Sequence, residues 1–380
     1  MSAARGGFEP PVYPYDRLAP LRKAASVAPG GIVDLSIGTP TDPPPPGVLA
    51  ALADADAGGV LRGYPPSIGT LRLREAAAGW MRRTFDLDVV AGAVAACVGT
   101  KEMVVSLPRY LSLRRRGPDT VLYPAVAYPS YEMGAILAGL RAVAVPTDAH
   151  GRLRLDAVDP ADAERALLLW VNSPGNPAGG VDDVAGAAAW GASHGVVVAS
   201  DECYAAFTWS GPPTTVLGHG TGADGLGGVL AVHSLSKRSN LAGLRVGWVA
   251  GDPDVVTYLS EVRKHAGMMV PGPAQAAAVA ALGDEDHVVD QRARYRERLE
   301  AMAAILVTLG VEVALPEGGF YLWAAAPGGD AWGWAAELAE RGGLLVSPGD
   351  FYGSDGAGHV RLAMVAPLDR LALVASRLVG

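Results

Sequence analysis

The sequence is poor in cysteine, in clustered basic residues and in long apolar runs. Only Cys97 and Cys203 occur among 380 residues, which is too few for a disulfide scaffold and fits a reducing compartment. The formal net charge is −8 and no basic run appears, so we expect no nucleic-acid partner. The longest apolar runs are only as long as strands, and we therefore expect no membrane span.

Targeting signals and metal motifs are lacking as well. Residues 1–20 are rich in proline and contain no apolar stretch of the kind found in secretion signals, so we expect a cytoplasmic protein. No CxxC, HExxH or EF-hand pattern occurs, and the seven histidines are scattered, so no metal site is predicted. The chain is half hydrophobic and long enough for two domains.

The apolar pattern predicts an α/β fold with a mainly parallel sheet flanked by helices, because short apolar runs alternate with Ala-rich helical stretches. Strands buried on both faces are predicted at AVAACV, TVLY, RAVAVP, ALLLWV, GVVVAS and GVLAVHS, and an amphipathic helix at LRLREAAAGWMRRTF. A helical stretch at 274–309 precedes two more strands, FYLWAA and GHVRLAMV. We expect an arm over 1–50, a large domain over 51–270 and a smaller α+β domain over 271–380, which the arm joins.

Polar residues follow five of these six predicted strands. In open α/β sheets ligands bind at the carboxyl ends of the strands, so these residues should converge. In chain order the strand ends carry Gly99-Thr100-Lys101, Tyr128 with Tyr131, Asn172 with Asn176, Asp201 with Tyr204, and Ser234 with Ser236 and Lys237. Each alone can be a turn, a helix cap, loop packing or a solvated lysine. Together they predict one ligand site.

The chemistry that needs this set of groups is that of pyridoxal 5′-phosphate (PLP). The amine of Lys237 would join the cofactor aldehyde, and burial beside Arg245 would lower its pKa. A buried Asp201 would keep the pyridine nitrogen protonated, and the Tyr128 ring would stack on the cofactor. The phosphate would take backbone N–H groups, hydroxyls and a guanidinium. The candidates for these are Gly99, Thr100, Lys101, Ser234, Ser236 and Arg245.

Six segments resemble the class I/II aminotransferases, which are fold type I PLP enzymes. SLSKRSNLAGLRVGW resembles their PLP-lysine signature, and SDECYAAF resembles their Asp-x-x-Tyr strand end. NSPGNPAGG resembles their Asn-Pro-Thr-Gly turn, with Ala178 where Thr is usual. YPPSIGTLRLREA, which begins at Tyr64, is similar to their Tyr…Gly…Leu-Arg entry segment. VRLAM is similar to the strand that carries their substrate-binding arginine, and SIGTP to the segment that closes over the substrate. The resemblance covers about residues 30–380, in order.

This resemblance implies a large PLP-binding domain, a smaller domain and a role for each matching residue. Lys237 would be the Schiff-base lysine and proton carrier, and Asp201 would pair with the pyridine nitrogen. Arg361 would bind the substrate carboxylate with Gly38 and Asn176. Further contacts to the cofactor would come from Gly99, Thr100, Lys101, Tyr128, Asn176, Tyr204, Ser234, Ser236 and Arg245. Tyr64 would reach the cofactor phosphate of the neighbouring subunit, which implies a homodimer with shared active sites.

A narrower likeness is to the actinobacterial N-succinyl-L,L-diaminopimelate aminotransferases. It rests on IVDLSIGTPTDP, VGTKEMVVSLP, AYPSYEMGAILAG, SDECYAAF, HSLSKRSNLAG, VRKHAGMMVPGPAQAA and SPGDFYG. Leu244 and Val246 stand where that group is expected to have Tyr and Ala. The likeness implies amino-group exchange between succinyl-diaminopimelate and 2-oxoglutarate, in lysine and peptidoglycan-precursor synthesis.

Other functions stay open. Transamination of another amino acid, or a lyase, decarboxylase, cyclase or oxidase reaction of secondary metabolism, would use the same cofactor shell. GTGADG at 220–225 fits the dinucleotide pattern G-x-G-x-x-G, but it precedes a predicted strand rather than a helix, so we interpret it as a loop. A transcription regulator would need a DNA-binding domain before Ile32, and we do not expect one. The short basic patch Arg263-Lys264-His265 is either a solvated helix face or a reader of a distal carboxylate.

Overall fold

The computed structural model describes residues 8–55 and 59–379, and these contain twelve strands. The strands are β1 (Val33–Asp34), β2 (Val94–Cys97), β3 (Thr120–Pro124), β4 (Arg141–Val145), β5 (Ala166–Asn172), β6 (Val197–Asp201), β7 (Val229–Ser234), β8 (Gly247–Gly251), β9 (Tyr321–Ala325), β10 (Leu344–Leu345), β11 (Ser347–Pro348) and β12 (His359–Ala363).

Thirteen α-helices lie in the same residues. They are α1 (Ala19–Ala25), α2 (Pro46–Ala53), α3 (Leu71–Phe85), α4 (Thr100–Arg114), α5 (Ser130–Leu137), α6 (Pro160–Arg165), α7 (Val184–His194), α8 (Leu235–Arg238), α9 (Pro253–His265), α10 (Gly272–Leu282), α11 (Asp286–Thr308), α12 (Ala331–Gly342) and α13 (Leu368–Leu378). None of those described is both long and apolar enough to cross a membrane.

Seven strands form the central sheet, in the order β2-β8-β7-β6-β5-β3-β4. The pairs β7-β6, β6-β5, β5-β3 and β3-β4 are parallel, whereas β8 is antiparallel to both of its neighbours. The predicted mainly parallel sheet with flanking helices is therefore confirmed. The strand β8 is not among the predicted strands, because GWVAG is short and directly follows the polar lysine segment.

The strand β4 corrects one expectation. RAVAV was predicted to be buried on both faces, but β4 is an edge strand that pairs only with β3. Four of its five residues are exposed or half-buried, and Arg141 pairs with Asp162 2.8 Å away. An edge strand has a partner on one side only, so an apolar run there is only partly covered.

Two helical predictions have different outcomes. The amphipathic helix at LRLREAAAGWMRRTF is confirmed as α3, and the Thr70 side chain accepts from the Leu73 N–H at its start. The helical stretch at 274–309 is divided into α10 and α11 by residues 283–285. Gly283 follows the last residue of α10, and the Asp284 side chain then accepts from the His287 N–H in the first turn of α11.

The N-terminal segment packs with the C-terminal part of the chain. β1 is parallel to β10, and β9, β12 and β11 form a separate antiparallel sheet. Buried residues of 18–35 share one core with those of 295–378. The helices α2 and α10 pack on each other, and their buried residues belong to the core of the central sheet. We therefore propose that the smaller domain begins after α10 rather than at 271, and that it includes the arm up to α2.

Candidate active site

A cavity of about 270 Å³ lies at the carboxyl ends of the central strands, between the sheet and the smaller domain. Twelve of the fourteen sequence-predicted site residues line this cavity: Gly38, Thr100, Lys101, Tyr128, Asn176, Asp201, Tyr204, Ser234, Ser236, Lys237, Arg245 and Arg361. Gly99 lies beside it, immediately before Thr100. Tyr64 does not line the cavity of its own chain, where the residue is 98% exposed, and its reach into a neighbouring subunit stays a prediction.

Lys237 lies on α8, which begins directly after β7 because the Ser234 hydroxyl caps the helix by accepting from the Ser236 N–H (3.0 Å). The Lys237 ammonium donates to the carbonyl of Gly38 and lies 5.9 Å from the centre of the Phe320 ring. Burial lowers the pKa of Lys237 to about 8, and the charge of Arg361 acts in the same direction. A substantial fraction of this amine is therefore neutral near pH 8.

Asp201 ends β6, and its carboxylate is held from two sides. The Tyr131 hydroxyl donates to Oδ2 (3.0 Å), and the Cys203 N–H donates to Oδ1 (3.2 Å). The Asn172 side chain donates to the Asp201 carbonyl (2.9 Å), which ties the ends of β5 and β6 together. Burial raises the pKa of Asp201, and the hydrogen bonds to its oxygens oppose that rise. The result is an anchored carboxylate that faces the cavity.

Arg361 lies on β12 and is fully buried. Its Nη1 donates to Asn176 Oδ1 (2.8 Å), and its Nη2 donates to the carbonyl of Ser36 (2.6 Å). The guanidinium carbon lies 4.3 Å from the centre of the Tyr321 ring and 4.8 Å from that of Tyr352. No carboxylate of the described residues forms an ion pair with it. The site thus presents a fixed, uncompensated guanidinium to the cavity.

The start of α4 forms the anionic end of the site. In its first turn the N–H groups of Thr100 and Lys101 have no acceptor within the helix, so they are free for an anion. Gly99 has a φ of 70°, and a Cβ there would overlap the Arg245 guanidinium. Arg245 Nη1 donates to the carbonyl of Ala242 (2.9 Å). A glycine is therefore required for Arg245 to lie against the start of the helix.

Three tyrosines of the site are not among the residues predicted from the sequence. Tyr13, Tyr15 and Tyr321 line the cavity. The Tyr321 hydroxyl lies 2.8 Å from that of Tyr204. The first two lie in a Pro-rich segment without periodicity, where no pattern predicts a position. The strand that carries Tyr321 was predicted, but its alternation alone does not show which face meets the cavity.

The basic patch at 263–265 is divided, because Lys264 and His265 are exposed as on a solvated face, whereas Arg263 is not. Arg263 is neither on a solvated face nor free to read a substrate, because it is completely buried and its Nη2 lies 2.8 Å from Glu102 Oε2. Its neighbour Lys264 is exposed and pairs with Glu261 on the same helix. GTGADG, in contrast, is the expected loop, and β7 follows it.

The chain belongs to the class I and II aminotransferases. The model of that family, described as aminotransferase class I and II, matches residues 31–376. The fold is shared with solved structures of the family, and the protein is an aminotransferase.

Individual relatives cover nearly the whole chain. A probable aminotransferase of Mycobacterium tuberculosis is 45% identical over 99% of this chain and 87% of its own. The 4-dedimethylamino-4-oxo-anhydrotetracycline transaminase OxyQ of Streptomyces rimosus is 43% identical over 97% of this chain and 99% of its own. A solved structure of a probable N-succinyldiaminopimelate aminotransferase from Thermus thermophilus is 32% identical, with a TM-score of 0.86, and the alignment covers 96% and 98% of the two chains.

Members of this family depend on PLP, and the residues of the cavity fit that cofactor. The cavity is lined by a partly neutral lysine, a buried carboxylate and the start of a helix, where an arginine packs against a glycine. These are the groups that an aldehyde, a pyridine nitrogen and a phosphate require. When bound, PLP supplies the aldehyde and a ring that accepts negative charge from the substrate carbon.

Proposed function

We propose that this aminotransferase exchanges an amino group between an amino acid and a 2-oxo acid in two ping-pong half-reactions, with Lys237 and Arg361 at its centre. The observation that carries the proposal is that a partly neutral amine and an arginine without a carboxylate partner line the same buried cavity. Arg361 would take the substrate α-carboxylate in a two-point contact, with Gly38 and Asn176 beside it. That contact would place the substrate α-carbon toward Lys237.

Transamination requires a proton to move from the substrate α-carbon to the cofactor, and further residues of the cavity would support that transfer. Lys237 would remove the proton at the α-carbon and return it on the cofactor side, since an amine with a pKa of about 8 can both accept and release a proton near neutral pH. Asp201 would keep a proton on the pyridine nitrogen, and Tyr131 would hold Asp201 in place. Tyr204 would donate to the ring oxygen together with Asn176.

The cofactor would be held at its ring and at its phosphate. Tyr128 would stack on the ring, and the phosphate would bind Gly99, Thr100, Lys101, Ser234, Ser236 and Arg245. Tyr64 is exposed on the isolated chain, which supports its proposed reach into the site of a second copy. We therefore propose a homodimer with shared active sites, located in the cytoplasm.

For the substrate we propose N-succinyl-L,L-diaminopimelate, with 2-oxoglutarate as the amino acceptor. The Thermus thermophilus relative, whose name states this activity, supports the proposal, as do the segments that resemble that group. The two departures from the group lie away from the cavity. Val246 is buried in the core of the central sheet, Leu244 packs against the same core, and neither lines the cavity. Their effect is on packing around Arg245 rather than on substrate contact.

A second candidate is transamination of a polycyclic ketone. It is favoured by one observation, the 43% identity to the transaminase OxyQ over nearly the full length of both chains. In that case the lysine and phosphate groups would act as above, while the second substrate would have no α-carboxylate for Arg361. Glutamate would remain a suitable amino donor for either candidate.

Half-reactions with single substrates separate these candidates. The PLP form of the enzyme is mixed with succinyl-diaminopimelate, with glutamate or with other amino acids, and conversion of the cofactor to pyridoxamine phosphate is followed by its absorbance. We expect conversion with glutamate and with the succinylated substrate. Conversion with glutamate alone would refute the substrate proposal, and reamination of a polycyclic ketone by the pyridoxamine phosphate form would then favour the second candidate. No conversion by any amino acid would refute the proposed function.

A further inference from the structure

A buried ion pair lies directly behind the start of α4. The side chain of Arg263, on α9, is 0% exposed, and that of Glu102, on α4, is 10% exposed. Two contacts join them, Nη2 to Oε2 at 2.8 Å and Nε to Oε1 at 3.3 Å. The fork of the arginine thus matches both oxygens of the carboxylate.

The same pair holds the turn that leads into α4. Arg263 Nη1 donates to the carbonyl of Ala96 in β2 (2.6 Å), and Glu102 Oε2 accepts from the N–H of Val98 (3.1 Å). Gly99 therefore lies between two anchored points. The backbone that presents the N–H groups of Thr100 and Lys101 is set by these contacts.

The position of Glu102 is unusual for an anion site. It is the third residue of α4, where a carboxylate favours the helix itself but repels a second anion at the same terminus. A phosphate carries up to two negative charges, and salt only weakly screens its repulsion with a largely buried carboxylate such as that of Glu102. Some group must cancel the charge of Glu102, and in the described residues Arg263 is the cation in direct contact with it.

We propose that Arg263 and Glu102 are positioning residues for the cofactor phosphate. Glu102 fixes the turn around Gly99, and Arg263 neutralises Glu102 so that its charge does not weaken phosphate binding. The inference rests on the proposed phosphate site at the start of α4. It predicts effects of opposite sign for the two members of the pair, because loss of Arg263 leaves a buried negative charge and loss of the Glu102 charge leaves a positive one.

The experiment compares PLP with pyridoxal, which lacks the phosphate. Their dissociation constants for the apoenzyme are measured by quenching of tryptophan fluorescence, and the ratio of the two constants isolates the contribution of the phosphate. In Arg263→Met we expect the preference for PLP to fall by about tenfold or more. In Glu102→Gln, whose amide oxygen can still accept from Val98, we expect the preference for PLP to rise above that of the wild type. The double variant should regain most of the preference.

Matched controls come from a second buried pair, Arg298 with Asp42, whose two contacts are each 2.7 Å. Arg298→Met and Asp42→Asn carry the same changes of charge and should leave the preference for PLP unchanged. An unchanged preference in Arg263→Met, or an unchanged or lowered one in Glu102→Gln, would overturn the proposal. If Arg263→Met does not fold, the test is whether the preference for PLP rises in Glu102→Gln and not in Asp42→Asn. A wild-type enzyme without a preference for PLP would instead refute the phosphate site itself.

Discussion

Replacement of Arg361 by lysine tests the proposed substrate-binding role most directly. The guanidinium is fully buried, held by Asn176 and Ser36 and covered by the rings of Tyr321 and Tyr352. Lysine keeps the positive charge but cannot make the planar two-point contact with a carboxylate. The variant therefore loses the two-point hydrogen-bonding geometry of the guanidinium but keeps its positive charge.

The size of the effect follows from the bonds at stake. A hydrogen bond to a charged group contributes about 1.5–3 kcal/mol, and the lysine loses one of the two that would reach the carboxylate. At about 1.4 kcal/mol per factor of ten, Arg361→Lys should lower kcat/KM for amino-acid donors by about 10- to 100-fold. For an amine without a carboxylate we expect no loss, because that amine never used the contact.

The assay is the single-substrate half-reaction, followed as the loss of the PLP absorbance with glutamate and with a primary amine that lacks the carboxylate. Thermal unfolding of the variant and of the wild type shows whether the fold is retained. Equal losses for the two donors would mean that Arg361 supports the structure rather than the substrate. An unchanged kcat/KM for glutamate would refute the reasoning altogether.

Three further predictions concern the cofactor end of the site. Lys237→Ala should abolish transamination and the visible absorbance of bound cofactor, since the other lysine of the cavity, Lys101, is held against the rings of Tyr13 and Tyr128; spectra and activity measure this. Tyr131→Phe should lower kcat by about tenfold, because the hydrogen bond to Asp201 is buried on both sides and such bonds contribute about 1–3 kcal/mol; steady-state kinetics measure this. Gly99→Ala should weaken PLP binding, since the new Cβ would displace Arg245 and the positive φ disfavours any side chain; titration of the apoenzyme measures this.

For each of these variants, one result would contradict the prediction. Normal turnover by Lys237→Ala would exclude that lysine as the proton carrier. An unchanged kcat in Tyr131→Phe would show that the carboxylate of Asp201 is held well enough by its other partner. For the glycine, Gly92→Ala is the matched control, because a Cβ at Gly92 meets nothing within 4 Å. Equal PLP affinities of the two alanine variants would contradict the role of Gly99.

Much of the cavity could be predicted from the sequence because of one rule of α/β sheets. Residues at the carboxyl ends of parallel strands meet at one edge, so Asp201, Lys237 and Asn176 could be brought together without coordinates. The side chains of Tyr13 and Tyr15 could not, because they lie on an irregular segment whose path depends on long-range packing. The contact of Tyr64 with a second subunit stays a prediction, because a single chain shows only that this residue is exposed.

The sequence by itself determined the alternation of most strands of the central sheet with helices, the position of the lysine and the family. Apolar periodicity and short polar motifs are local, and they can be identified before the chain is folded. Only the tertiary structure decided which charged groups form ion pairs and which stay uncompensated. The sequence places Arg263 beside two other basic residues and Arg361 in an apolar strand. The structure shows that Glu102 compensates the first and that no described carboxylate compensates the second. That difference depends on which residues lie within a few ångströms, and these residues are far apart along the chain.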